Sequence, residues 1–137
     1  MKLIVTGGAG FIGSNYLLNL ISRGDIPYSE IVIIDNLTYS GSLDNIDPIV
    51  KDHRVNFVAG DICDGNLVRK LLSGADQIIH FAAESHVDRS INSSKQFINT
   101  NVQGTHTLLE AFKENGHGTF LHVSTDEVYG SITKGKW

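Results

Sequence analysis

Cysteine is nearly missing from this chain: Cys63 stands alone in 137 residues, beside one tryptophan, one methionine and two prolines. One thiol closes no disulfide within the chain and builds no thiolate zinc cluster, and it suits a reducing cytoplasm. The six histidines show no HExxH or related ligand spacing, so no metal site is expected. No apolar run approaches the ~18–20 residues that cross a bilayer. The opening MKLIVTGG meets a glycine turn too soon for a secretory leader, so no membrane association and a cytoplasmic location are expected. Basic charge is also in short supply, with Lys+Arg 11 against Asp+Glu 15 and a net charge of -4. That argues against a nucleic-acid partner. A nucleotide ligand stays open, because backbone amides hold phosphate without added cations.

What is present is an ordinary globular composition, 41% hydrophobic and 19% charged, without repeats or a low-complexity linker. Apolar runs of strand length alternate with segments of helical period. Lys2–Thr6 reads as a buried strand and Phe11–Ser22 as a helix, with Ile12, Tyr16, Leu17, Leu20 and Ile21 on its inner face. Gly24 and Pro27 break it. Ile31–Ile34, four β-favouring residues in a row, suits a sheet covered on both sides. Asn36–Pro48 reads as loop with a short helix, Val55–Ala59 as a third strand and Asn66–Leu72 as a short helix started by Asp64 or Gly65. Gln77–Ala82 is the fourth strand. Ser93–Lys113 is the clearest helix, with a Ser93/Gln96 capping box and Ile98, Val102, Leu109 and Phe112 on one stripe. Gly116 ends it, and Thr119–Ser124 is the fifth strand. The order predicts an α/β fold, a doubly wound parallel sheet of the Rossmann type over residues 1–137. The fifth strand would be a bare apolar edge, so later strands are expected beyond Trp137, with the domain C-terminally truncated here.

The first strand runs into Gly7-Gly8-Ala9-Gly10-Phe11-Ile12-Gly13. Gly8, Gly10 and Gly13 satisfy GxGxxG, while Gly7, Gly10 and Gly13 satisfy GxxGxxG. In such a turn one glycine permits the sharp bend, one lets backbone approach a pyrophosphate and one lets helix and strand pack closely. A tight strand–helix turn without ligand is the bland alternative. Asp35 weighs against it: the acid closes the second strand 22 residues past Gly13, near the spacing expected of a carboxylate that binds ribose hydroxyls. A carboxylate there repels a 2′-phosphate, and Asn36, Leu37, Thr38 and Tyr39 include no Arg or Lys to pair with one. NAD is therefore expected over NADP.

The spelling TGGAGFIG, then Gly60-Asp61-Ile62 after the third strand, FAAESHVDRS after the fourth and STDEVYG after the fifth resemble the extended short-chain dehydrogenase/reductase family. The last two segments together resemble its dTDP-glucose 4,6-dehydratase branch, over essentially the whole chain. The resemblance implies Phe11 and Ile12 beside the pyrophosphate and Asp35, Asn36, Leu37 and Thr38 on the adenosine ribose. It implies Asp61 and Ile62 at the adenine, and Phe81, Ala82, Ala83, Ser85 and Thr100 along the rest of the NAD path, with Glu84 and Ser85 able to reach substrate. The implied partner is a nucleotide-sugar substrate, dTDP-glucose. The implied reaction is an internal redox cycle: oxidation at sugar C4, loss of water across C5 and C6, and return of hydride to C6.

Such an elimination needs an acid and a base at one edge of the substrate. Asp126 and Glu127 supply adjacent carboxyls just past a strand end. In a continuing strand they would face opposite ways; in a turn they could converge, and mutual repulsion plus burial would raise one pKa. A solvated turn is the ordinary fate of an acidic dipeptide, and the flanking motifs tip the balance to catalysis. The resemblance assigns Asp126 as acid, Glu127 as base, and Thr125 to the C4 oxygen as a substrate contact. His86, Asp88 and Arg89 receive no role, since an ion pair or helix-start network suits them equally. The family's Tyr-x-x-x-Lys pair is missing: Tyr16, Tyr28, Tyr39 and Tyr129 lead to Leu20, Val32, Leu43 and Thr133. That pair and a C-terminal sugar-nucleotide domain are expected past Trp137, and residues 1–137 alone should not complete the reaction. A homodimer is expected by analogy, through the Ser93–Lys113 helix. Two alternatives compete: a sugar-nucleotide 4-epimerase, which needs no carboxylate pair there, and a non-catalytic NAD-binding module.

Overall fold

Residues 1–85, 94–130 and 135 are described in the computed structural model, without the side chain of Glu127. The capping residue Ser93 and the unassigned His86, Asp88 and Arg89 lie outside the described residues. Five parallel strands form one sheet in the order β3-β2-β1-β4-β5, with β1 Lys2–Thr6, β2 Glu30–Asp35, β3 Val55–Ala59, β4 Gln77–His80 and β5 Thr119–His122. Ile4 sits at the centre, paired with Val32 on one side and Ile78 on the other. Strand side chains alternate between faces, and each face has its own core. Leu3, Val5, Ile31 and Ile33 pack on one side with Leu17 of α1 (Phe11–Ser22) and with Ile46 and Ile49 of the β2–β3 connection. Ile4, Val32, Ile34 and Ile78 pack on the other with Val68 and Leu72 of α2 (Gly65–Leu72) and with Leu108 and Ala111. Two covered faces explain why these strands read as unbroken apolar runs. The β2–β3 connection carries only a 3-10 turn, Leu43–Asn45.

Both later strands are shorter than their apolar runs. Phe81 N–H still bonds the Thr6 carbonyl at 3.0 Å, and Val123 N–H the His80 carbonyl at 3.1 Å, but the chain then leaves the sheet. The long helical segment also departs from expectation. It consists of α3 (Ser94–Phe97), a π-helical stretch Ile98–Gly104 and α4 (Thr105–Asn115), closed by Gly116 in the left-handed region at φ 75. A π stretch advances fewer degrees per residue than an α-helix, so the expected stripe does not stay on one face: Phe112 packs on the core, whereas its other members face out. Ile98 is 59% and Val102 64% exposed, and Leu109 also faces out. The buried positions are Gly104, Leu108 and Ala111, with Gly104 against Ile62, whose Cδ1 would lie 2.5 Å from any added Cβ. No helix among the described residues is long and apolar enough to cross a membrane.

Candidate functional site

Strand order reverses between β1 and β4, and open α/β sheets bind ligands at such a point, beyond the strand C-termini. A cleft with about 570 Å³ of empty space opens there. Its floor is the glycine turn, and the structure separates the two overlapping glycine patterns. Gly7 takes φ 69 and lies so close to β4 that a Cβ would stand 2.6 Å from Ala82 N. Gly13 has the Gly7 carbonyl 2.3 Å from where a Cβ would sit, so it serves helix–strand packing. Gly10 meets nothing nearer than 3.4 Å and borders the cleft. Gly8 points away from the cleft, against Ile33 of the core. The working set is thus Gly7, Gly10 and Gly13.

Gly10 is the N-cap of α1, without a side-chain cap, and no acid occupies the first turn. In α2, by contrast, Asp64 accepts from Asn66 and Leu67 N–H. An uncapped N-terminus leaves amide donors and the positive dipole end for a ligand. Phe11 and Ile12 occupy that turn with side chains 81% and 59% exposed, beside the cleft rather than in its wall. Asp35 is buried in the wall, with Oδ2 accepting from Ala9 N–H and Oδ1 from Leu37 N–H, both at 2.9 Å. Each oxygen keeps a lone pair for a further donor. Across the mouth, Asn36 Nδ2 donates to Asp61 Oδ2 at 3.3 Å, and Asp61 Oδ1 accepts from Cys63 N–H. Thr38, Ile62, Phe81, Ala82, Ala83 and Thr100 complete the wall. Leu37 turns into the core cluster and Ser85 is exposed outside the wall.

Two wall positions were not singled out by sequence reasoning as cofactor contacts, Ile34 and Ser40, while Gly60 and Glu84 also border the cleft. Glu84 is held by Asn101, whose Oδ1 accepts from Glu84 N–H at 2.8 Å and whose Nδ2 donates to the Glu84 carbonyl at 2.9 Å. The π stretch places Thr100 in the wall and Asn101 on this clamp together. His80 was also missed. It is buried, with Nδ1 2.6 Å from Thr6 Oγ1 and Nε2 3.0 Å from Thr105 Oγ1, and it stacks on His122. Burial, and secondly His122, pushes its pKa down to about 4. Its place in the apolar run Ile78–Ala82 was the available signal that it is buried.

Of the expected acid–base pair, Asp126 does not line the cleft, and the Glu127 side chain lies outside the described residues. Asp126 opens a 3-10 turn, Asp126–Tyr129, and both it and Thr125 are exposed, with Thr125 Oγ1 donating to Asp126 Oδ1 at 3.3 Å. Asp126 thus lacks the burial expected of the pair. Of the two alternatives left open, a continuing strand or a turn, the structure shows the turn.

Among the described residues the cleft wall holds Asp35, Asp61 and Glu84 and no lysine or arginine. Backbone amides for phosphate, a carboxylate for hydroxyls and small residues for close approach fit a dinucleotide without a 2′-phosphate.

The chain is 51% identical, over its full length, to a dTDP-glucose 4,6-dehydratase of Streptomyces niveus, and it spans 41% of that relative. It matches the crystal structure of DesIV, the dTDP-glucose 4,6-dehydratase of Streptomyces venezuelae with NAD and TYD bound, at TM-score 0.93 and 52% identity, covering all of this chain and 43% of that one. The UDP-glucose-4-epimerase of Stenotrophomonas maltophila with bound NAD is more distant, at TM-score 0.83 and 30% identity, with 98% and 40% covered. The model of the GDP-mannose 4,6 dehydratase family matches residues 4–136. The chain, with its parallel sheet and glycine-turn cleft, belongs to the GDP-mannose 4,6 dehydratase family within the extended short-chain dehydrogenases/reductases.

Proposed function

We propose that residues 1–137 are the NAD-binding Rossmann domain of a cytoplasmic dTDP-glucose 4,6-dehydratase, whose sugar-nucleotide domain lies outside them. The observation that carries this reading is the acid-lined cleft at the β1/β4 reversal, with an uncapped helix start on its floor. Phe11, Ile12 and Gly13 N–H would hold the diphosphate. Asp35, Asn36, Leu37 and Thr38 would bind the adenosine ribose, Asp61 and Ile62 the adenine. Phe81 to Ser85 and Thr100 would guide the rest of the dinucleotide, which when bound supplies a hydride acceptor and donor.

The chain's own chemistry follows from the residues after β5. Thr125 would donate a hydrogen bond to the C4 oxygen of the sugar and hold it as it becomes a carbonyl. That carbonyl acidifies the C5 proton, which Glu127 would take. Asp126 would protonate the C6 hydroxyl so that it leaves as water. Asp126, exposed outside the cleft wall, would reach the substrate only once the Thr125–Tyr129 segment moves towards the cleft. Adjacent acid and base favour this elimination over 4-epimerisation. A homodimer is part of the proposal, formed through the outward stripe Ile98, Val102 and Leu109.

Incubating the intact protein with dTDP-glucose should yield a 4-keto-6-deoxy product, and Glu127→Gln should abolish it. Turnover undiminished by that change removes the assigned base, and conversion of UDP-glucose to its 4-epimer instead replaces the reaction. A titration should favour NAD over NADP; the opposite preference contradicts the role of Asp35.

A further inference from the structure

Ala9 lies between two glycines of the turn, and its backbone polar groups are held by the last residue of β2 and by the segment that follows it. Its N–H donates to Asp35 Oδ2 at 2.9 Å. Its carbonyl accepts from Asn45 Nδ2 at 2.8 Å and from Ser42 N–H at 3.1 Å. That segment is itself well fixed. Leu37 adopts φ 50, a costly conformation for a side-chain-bearing residue, and this brings its N–H to the other Asp35 oxygen. Gly41 packs so near Asp35 that a Cβ would stand 2.7 Å from Oδ1. Ile46 and Ile49, both buried, root the segment in the core.

The peptide group is planar, so the Ala9 carbonyl and the Gly10 N–H share one rigid plane. Gly10 is the N-cap of α1. Fixing the Ala9 oxygen therefore fixes the plane from which the helix starts, and with it the aim of the first free amides. We infer that Asn45, which does not border the cleft, is a positioning residue for its diphosphate end: with Ser42 N–H it holds the Ala9–Gly10 peptide so that the α1 amides point at phosphate. The inference rests on the dinucleotide reading of the cleft.

Asn45 is exposed apart from this bond, so its replacement opens no core cavity. Asn45→Ala in the intact protein should lower NAD affinity about three- to tenfold, the loss expected of one hydrogen bond. Asn45→Asp, with an oxygen turned on the Ala9 carbonyl, should lower it further. The affinity ratio of ADP to adenosine, read by competition against NADH, should fall by the same factor, and amide exchange at Gly10–Gly13 should quicken. An unchanged ratio overturns the inference whether or not overall affinity drops, because a general loosening weakens both ligands alike. Unchanged exchange at those amides overturns it without reference to any ligand. An unsubstituted protein that binds no dinucleotide sinks the cleft reading itself, and this inference with it.

Discussion

Replacing Gly7 by alanine would confront the chain with two problems at one atom. The positive φ penalises any side chain, and the new methyl would press on the Ala82 backbone, which has no room to yield. Strain of this kind costs about 1–3 kcal/mol, and relief by moving the turn would displace the α1 amides. Gly7→Ala should weaken NAD binding on the order of tenfold or more in a titration, whereas Gly24→Ala, equally left-handed but in open space, should leave it alone. His80 couples its charge state to stability. Its folded pKa of about 4 lies below the ~6.5 of an unfolded histidine, so between those values only the unfolded chain takes up the proton. Stability should therefore rise with pH through that window, and acidification through it should remove on the order of 3 kcal/mol. Urea unfolding at pH 7.5 and 5 checks this: the loss on acidification should be larger for the native sequence than for His80→Gln.

At the level of elements, local pattern reached furthest where burial is symmetric. The bounds of β1, α1 and β3 match those expected, because a buried strand and a helix with one apolar face leave plain signals, although Ile12, expected on the inner face of α1, is 59% exposed beside the cleft. It reached least where chain leaves an element. Phe81 and Ala82 continue the apolar run of β4 yet form cleft wall, and hydrophobicity cannot tell a last strand residue from a ligand-facing one. The segment after Phe97 misleads for a different reason: a 3.6-residue period was applied to a stretch wound with a longer turn. Gly104, pressed on Ile62, was the available signal of close contact. Asp35 was legible as a cleft acid, but its bond to Ala9 joins residues 26 apart and has no local trace. The π stretch carries its own prediction. Asn101→Ala severs both bonds to Glu84, leaving that loop untethered from the helix. Melting temperature should fall slightly, by the ~1 kcal/mol of an exposed bond pair, while NAD affinity drops severalfold because the cleft wall next to Ala83 loosens.

On the scale of the molecule, the two cores behind the sheet are complete around β1 and thin towards β5. Leu121 and Val123 at that edge are exposed, as is the stripe formed by Ile98, Val102 and Leu109. The helical stripe is the apolar surface at which association should begin. A charge placed at Val102 should cost little in the isolated subunit, since that side chain touches mainly solvent. Val102→Glu should shift the intact protein from dimer to monomer in sedimentation velocity without altering its circular dichroism. An unchanged sedimentation coefficient would place the association surface elsewhere.

Cys63 ties α2's leading loop to the π stretch through a bond from Sγ to the Asn99 carbonyl at 3.2 Å, and burial together with Asp61 pushes its pKa up to about 11. Such a thiol is a poor nucleophile at neutral pH, slower than a free cysteine by on the order of a hundredfold. Because it is the sole thiol, its alkylation rate becomes a clock for how often the two segments part. Iodoacetamide uptake followed by mass spectrometry should slow when NAD is added, as a ligand resting on Thr100 keeps the gap shut.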